Sequence, residues 1–436
     1  MGVLTDRRQG IDVPGKNRLP REFRKLWAAL SVSLMGSEIS VLALPLIAVI
    51  TLHASPLEMG ALVVAGQAPY LVCSLPLGVV ADRLPRRRLL IAADIGSALL
   101  LVTVPLELSF GGPSFYQLCV VAFGVGTFGI LTDVAHAAYV PTLVGRDRLV
   151  ECNSRLQISH SAADAAGPGL AGVVVQLLSA PLAVLADAAS FAVSAVLLRS
   201  ISSREQPSPA AAARTPLRRS LTDGLRMLLR HRLLRPILAT GVTAVLFQNG
   251  ALAIYVLYAV SDLRLSPMAI GLTFAAGGAG SLPGAMLARW AGQRFGIGPA
   301  MIGGWGAGAL AGLLVPLAAG PVLFVIATLA AAKALAALTS TVANIHQWSL
   351  RQAVTPDHLA GRVTASQRFV IYGVGSAGAL LGGALATAIG LRPALFACSL
   401  GVLLAPLCSL FSPLRRLREQ PADTSDPADE LAGAAA

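Results

Sequence analysis

Five polar side chains stand inside stretches that are otherwise largely apolar: Glu38, Asp164, Gln248, Asn249 and Lys333. If those stretches cross a bilayer, each ionisable group costs about 2.5–3.5 kcal/mol at mid-depth on insertion scales, so it marks a binding or ion-handling site. Carboxylates at 38 and 164 can take a cation or carry a proton. The amides at 248 and 249 can hydrogen-bond a polar group of a cargo. The spacing also allows a Glu38–Lys333 ion pair joining the two ends of the chain. That pair has two compatible readings, an orienting strut or a contact broken during a working cycle. No soluble catalytic constellation accompanies these residues. There is no GxxxxGK[ST] phosphate loop, HExxH, paired CxxC or GxSxG. The six histidines are scattered, and the five cysteines show no metal spacing. The expectation is no catalytic residue, no metal and no cofactor.

The composition says what must position these groups. Of 436 residues 55% are hydrophobic and only 13% charged, with aromatic residues at 5%. Mean hydropathy is +0.69. A soluble domain carries about a quarter charged residues. Twelve apolar runs can be read, near 26–50, 58–81, 89–108, 115–139, 156–178, 181–198, 236–260, 267–288, 300–318, 321–348, 369–389 and 393–411. Each is long enough, or nearly so, to cross a ~30 Å hydrocarbon core as a helix. Helix is required because lipid cannot satisfy open backbone groups. The expected fold is an all-α polytopic membrane protein with twelve transmembrane helices in two pseudo-symmetric six-helix bundles.

Charge sets the orientation. The net charge of +12 comes from 31 Arg and 3 Lys against 22 acids. Between the runs, 31 of the 34 basic residues fall on one side, only Arg264 and Arg392 on the other, and Lys333 inside a run. Positive-charged loops face the cytoplasm. The expected layout is a basic cytoplasmic leader 1–25 that is not a signal peptide, a first bundle 26–198, a cytoplasmic linker 199–235, a second bundle 236–411 and a cytoplasmic tail 412–436. The location is the plasma (inner) membrane, multi-pass, with both termini inside. The basic charge then addresses the bilayer and excludes nucleic acid as a partner. In the linker, Leu217, Leu221, Leu225, Leu228 and Leu229 share a helical face ringed by arginines, which suits a membrane-surface helix.

The halves resemble each other at an offset of 210: Asp147, Leu149, Gln157 and Gly172 recur as Asp357, Leu359, Gln367 and Gly382. An even number of runs per half makes this a parallel repeat, an arrangement that rocks about a midplane site. At the basic end of the second run stands Gly78-Val-Val-Ala-Asp82-Arg83-Leu-Pro-Arg-Arg87-Arg. Gly78 would allow close helix approach, and Asp82, Arg83 and Arg87 could latch that face shut by pairing with acids and helix ends. The fifth run carries Ala163-Asp164-Ala-Ala-Gly167-Pro168-Gly169 through Gly172.

The pattern G-x-x-x-D-R-x-x-R-R resembles the signature loop of the major facilitator superfamily, with Pro85 where that family has Gly. The Gly167-Pro168 segment is similar to the GPxxGG motif of its antiporters. ALPL (43–46), DAASF (187–191), DGLRMLLRHRLLRP (223–236) and TPDHLAGRVTASQRF (355–369) resemble its multidrug, macrolide and siderophore (enterobactin-type) exporter branch. The resemblance implies a monomeric secondary active transporter exporting a hydrophobic or amphiphilic small molecule, with protons as a candidate coupling ion. It implies a cavity bordered by Glu38, Asp164, Gln248, Asn249 and Lys333. Gly78, Asp82, Arg83, Arg87, Gly167, Pro168 and Arg368 become gating residues. Run 115–139 lacks the arginine that drug/proton antiporters of this superfamily carry, a departure that counts against proton coupling by analogy, while Glu38 or Asp164 could still carry a proton. An importer or facilitator of a small polar solute is the alternative, and a polytopic membrane enzyme a remoter one. Asp94, Glu107, Asp133, His136 and Asp187 are read as structural, with Asp94 and Asp133 able to pair with arginines of 83–88.

The orientation has a direct check. In a cysteine-free background, Ala210→Cys should react with an impermeant thiol reagent only from the cytoplasmic side, and Arg264→Cys only from outside. Labelling of position 210 from outside would reverse the assignment.

Overall fold

The computed structural model describes residues 20–109, 111, 114–144, 148–202 and 217–419. Most of the basic leader, linker residues 203–216, Asp147 and the tail beyond 419 lie outside the described residues. The chain runs α1 (Arg21–Ile50), α2 (Pro56–Val72), α3 (Ser74–Arg83), α4 (Arg86–Ser109), α5 (Phe115–Val144), α6 (Leu149–Leu178), α7 (Ala180–Arg199), α8 (Leu217–Arg230), α9 (Leu234–Ser261), α10 (Pro267–Phe295), α11 (Ile297–Gly312), α12 (Leu314–Leu317), α13 (Val322–Val354), α14 (Asp357–Ile389), α15 (Leu391–Val402) and α16 (Leu404–Leu410). Pro413–Arg416 forms a closing 3-10 turn. The architecture is an all-α bundle, with no strand among the described residues.

Eleven helical segments among the described residues are long and apolar enough to cross a membrane. The remaining crossing, expected as one helix over 58–81, is broken at Cys73 between α2 and α3. Pro76 explains the break: it has no N–H for the Val72 carbonyl and its ring crowds that turn. Several helices outrun their apolar stretches at the basic face. The helices expected at 156–178, 321–348 and 369–389 extend over Leu149–Leu178, Val322–Val354 and Asp357–Ile389.

Helices before the linker pack mainly among themselves, α7 against α1 and α4, and α5 against α4 and α2. Those after it do likewise, α13 against α10 and α11, and α9 against α14 and α15. Two junctions join the groups, α2 with α14 and α6 with α10. Both form by the same local rules. Ser55 caps α2, accepting from Glu58 N–H at 3.3 Å while Glu58 accepts from Ser55 N–H at 2.7 Å. Ser266 caps α10, accepting from Ala269 N–H at 3.3 Å. Each cap is followed by Pro at the first helical position, where no N–H is needed. The preceding turns contain His53 and Arg264 at φ 51° and 52°.

These equivalences fix the repeat at 211 rather than 210 along the junctions. A Cβ on Gly60 would lie 2.6 Å from the Ala379 carbonyl oxygen, and one on Gly271 would lie 2.5 Å from that of Pro168. Likewise Gly172 meets the carbonyl of Pro267, and Gly383 that of Pro56, at 2.8 and 2.5 Å. The partner of Gly172 is therefore Gly383, one residue beyond the Gly382 expected from sequence. Backbone meets backbone at both junctions, as small residues permit in membranes.

Helix α8 also departs from expectation. Its membrane-surface role required a free apolar face. Instead Gly224 abuts the Arg362 carbonyl of α14, Asp223 pairs with Arg362 at 3.0 Å, and Leu228 is buried with Leu234, Ile237 and Val363. Protein thus covers part of the α8 face, because α14 extends far enough to meet it. Leu229 and Arg226 remain exposed.

Gly271→Val should splay the α6–α10 junction, because no side chain fits within 2.5 Å of Pro168 O. Spin labels at 53 and 264 should then report a longer separation than in the parent. An unchanged distance distribution would show that this glycine does not govern closure.

Candidate functional site

The same 211-residue relation locates the place where the halves differ. At one junction Gln67 Nε2 of α2 donates to Asn249 Oδ1 of α9 at 2.8 Å, and Gly375 of α14 leaves room for Gln67. Shifted by 211, Asn249 becomes Glu38, Gln67 becomes Gly278 and Gly375 becomes Asp164. One junction is thus sealed by a neutral amide pair, while its counterpart carries two carboxylates. Glu38 lies against Gly167, where a Cβ would come 2.4 Å from its own. Asp164 precedes Gly167 by about one turn of α6. A Cβ on Gly278 would lie 2.4 Å from the Asp164 carbonyl oxygen, so the α6 backbone packs closely there while the Asp164 side chain is exposed.

Asp164 opens onto a cavity of about 440 Å³ shared with Gln248, Phe274, Ser281, Trp305 and Lys333. A second lobe of about 270 Å³, lined by Leu252, Tyr255 and Ser399, lies beside the same lysine. Lys333 is not paired with Glu38 among the described residues. Its Nζ sits 3.9 Å from the Tyr255 ring centroid and 4.3 Å from that of Phe274. The two rings meet edge-to-face at 5.3 Å, and Tyr255 Oη shares a 2.7 Å hydrogen bond with Thr273. An ammonium over two ring faces is attracted by their quadrupoles without a counter-ion. This replaces the expected ion pair: α13 turns its lysine toward α9 and α10, whereas α1 turns Glu38 toward α6. The cavity therefore has a carboxylate from one half and an ammonium from the other, separated by space. Asn249 belongs to the sealed junction, not to the lining of this cavity.

Below the midplane, toward the basic face, the halves diverge around a cleft of about 740 Å³. Tyr70 and Tyr372 stack across it at 4.2 Å and 11°. Asp133, Arg351 and Arg368 line its walls. Arg351 donates to Gln367 and lies over the Trp348 ring at 4.9 Å. Asp133 of α5 lines the same cleft as Arg368 of α14. Gly78 has open space around its Cβ position, so in this conformation no helix makes the close approach expected there. Arg83 is exposed, and the side chain of Asp82 lies outside the described residues. Arg87 donates to Leu198 O at 2.9 Å and to Arg199 O, capping α7 in its own half. Pro168 lends its carbonyl to the α6–α10 junction. Asp187, fully buried, accepts from Ser40 and from Ser190 at 3.1 Å and ties α7 to α1.

Sequence reading missed Gln67, Tyr70, Tyr255, Phe274, Trp305 and Tyr372. The doubled string Ser-Pro-x-x-x-Gly at 55–60 and 266–271 carried the correct offset of 211.

Tyr255→Leu should destabilise the protein, and Lys333→Met should relieve that loss, with a coupling energy of about 1–2 kcal/mol from thermal unfolding in detergent. Glu38→Gln and Lys333→Met should instead add within about 0.5 kcal/mol, as sites without contact do. A large Glu38–Lys333 coupling would reinstate the ion pair.

The chain is 27% identical to the multidrug efflux pump Tap of Mycolicibacterium fortuitum, over 90% of this chain and 95% of that one. Its fold is similar to that of a bacterial homologue of the human lysosomal transporter Spinster in an inward-facing conformation, with TM-score 0.71 at 13% identity, covering 92% and 98% of the two chains. A bacterial homologue of the iron transporter ferroportin gives TM-score 0.67 at 18% identity, covering 90% and 98%. Residues 26–379 match the profile of the Major Facilitator Superfamily. The chain is a multi-pass membrane transporter belonging to that superfamily.

Proposed function

We propose that this transporter exports a hydrophobic or amphiphilic small molecule by alternating access, directing a cationic or hydrogen-bond-donating end of the cargo at Glu38 and Asp164. The observation that carries this reading is the broken pseudo-symmetry: carboxylates replace the amide pair at one of two otherwise matching junctions, beside a cavity walled by Phe274, Trp305 and apolar helix faces. The similarity to a multidrug efflux pump supports the outward direction. The basic face is cytoplasmic in this reading, by its arginines. The conformation is then closed outside, at the glycine junctions, and open inside through the Tyr70–Tyr372 cleft. Protons couple transport through Glu38 and Asp164, with cargo and proton competing for the same carboxylates.

Purified protein in liposomes tests this. Counterflow of a lipophilic aromatic cation such as tetraphenylphosphonium should be saturable, and a pH gradient should drive its accumulation. Asp164→Asn and Glu38→Gln should each lower that accumulation on the order of ten-fold, the scale of one lost charge-assisted contact. Full activity in both variants, or counterflow only of small polar solutes, would overturn the proposal.

A further inference from the structure

We propose that the basic face carries a binding site for the headgroup of one anionic phospholipid, between the basic-face ends of α10 and α13 and the segment after α16. It is separate from the cargo cavity and does not depend on the transport reading. Arg289 and Arg294 of α10 and Arg418 of the closing segment line a single cavity of about 960 Å³. All three are exposed, and among the described residues none makes an ion pair or a hydrogen bond through its guanidinium. Glu419 stands at the rim but bridges none of them. Three guanidinium groups turned to one concavity repel each other until an anion enters, and Arg matches phosphate geometry well.

The cavity is built rather than incidental. Ile297 N–H donates to Arg418 O at 3.2 Å and Gly298 N–H to Leu417 O at 2.9 Å, pinning the closing segment to the start of α11. Leu414 is fully buried and anchors it from below. On the other wall His346 Nε2 is bonded to Ala288 O at 3.0 Å, which ties α13 to α10.

The surroundings favour a lipid over a free anion. Ala285 and Ile345 give the cavity an apolar wall. On the same end of α10, Trp290 and Phe295 are 57% and 55% exposed and meet edge-to-face at 5.7 Å. Exposed aromatic rings beside arginines at a helix end belong at the membrane interface. Basic pockets between transmembrane helices on the cytoplasmic side take anionic headgroups. The apolar wall would receive acyl chain, which inorganic phosphate lacks.

The test titrates full-length protein in detergent with phosphatidylglycerol and, separately, with phosphatidylcholine, counting bound lipid by native mass spectrometry. Phosphatidylglycerol should bind at one preferred site. Arg418→Gln should weaken that site about five-fold, and the triple change Arg289→Gln, Arg294→Gln and Arg418→Gln on the order of a hundred-fold. Arg226→Gln with Arg230→Gln, on exposed positions of α8, should leave it unchanged. The single Arg418→Gln variant serves if the triple variant fails to fold. Equal binding of phosphatidylcholine, equal loss in the α8 variant, or undiminished binding in Arg418→Gln would overturn the proposal. So would complete displacement of the lipid by excess inorganic phosphate, which would show an anion site without lipid specificity.

Discussion

Contact between main chains, with no side chain in between, is the constraint on which the molecule depends. In hydrocarbon, apolar side chains gain little from meeting each other rather than lipid tails. Helices from different bundles therefore hold together where glycine lets carbonyl groups and Cα atoms touch. Four glycines, Gly60, Gly172, Gly271 and Gly383, make such contacts in two symmetric pairs. Close packing at these glycines, spread over two matching seams, closes one face without an ion pair that must break when the seams part. An ion-paired closure would face a desolvation cost at each opening.

With the seams matched so closely, departures from symmetry become informative. Gln67 and Asn249 complete a neutral bond on one side, whereas on the other Glu38 stands in the place of Asn249, Gly278 in that of Gln67 and Asp164 in that of Gly375. Lys333 has Ala122 as its counterpart. Each half thus contributes charge of one sign to the middle of the molecule, and the charges are held apart, the ammonium by two aromatic faces. Unspent electrostatic potential across a cavity is what a binding site for a polar or charged group requires.

Much of this architecture was legible in the sequence because bilayer physics is blunt. The length of apolar runs, the one-sided arginines and the count of crossings follow from transfer energies that barely depend on tertiary detail. The helix faces were less legible. An error of one residue turns a helix by about 100°, which separates Gly382 from Gly383 as the partner of Gly172. Glu38 and Lys333 matched in depth but not in azimuth, and depth is all that hydropathy supplies. The docking of α8 depended on how far α14 runs past the membrane, which its mixed polar sequence at 357–368 did not announce. The Tyr255–Phe274 rings were passed over because an aromatic residue in an apolar run has no distinguishing chemistry until a cation is found above it.

The break at Cys73 gives the two seams unequal mechanics. Helix α2 is fastened to the opposite half, while α3 beyond the break packs against α5 of its own half. Its counterpart α10 contains Pro283 yet runs unbroken from Pro267 to Phe295. Any relative displacement of the halves would therefore meet a jointed helix on one side and an unbroken one on the other. Torque applied at the stiff side passes along the whole of α10, whereas on the other side it is absorbed at a pivot between Val72 and Ser74. The amide-sealed seam thus has a joint in its own helix, whereas the carboxylate seam is borne by a continuous one.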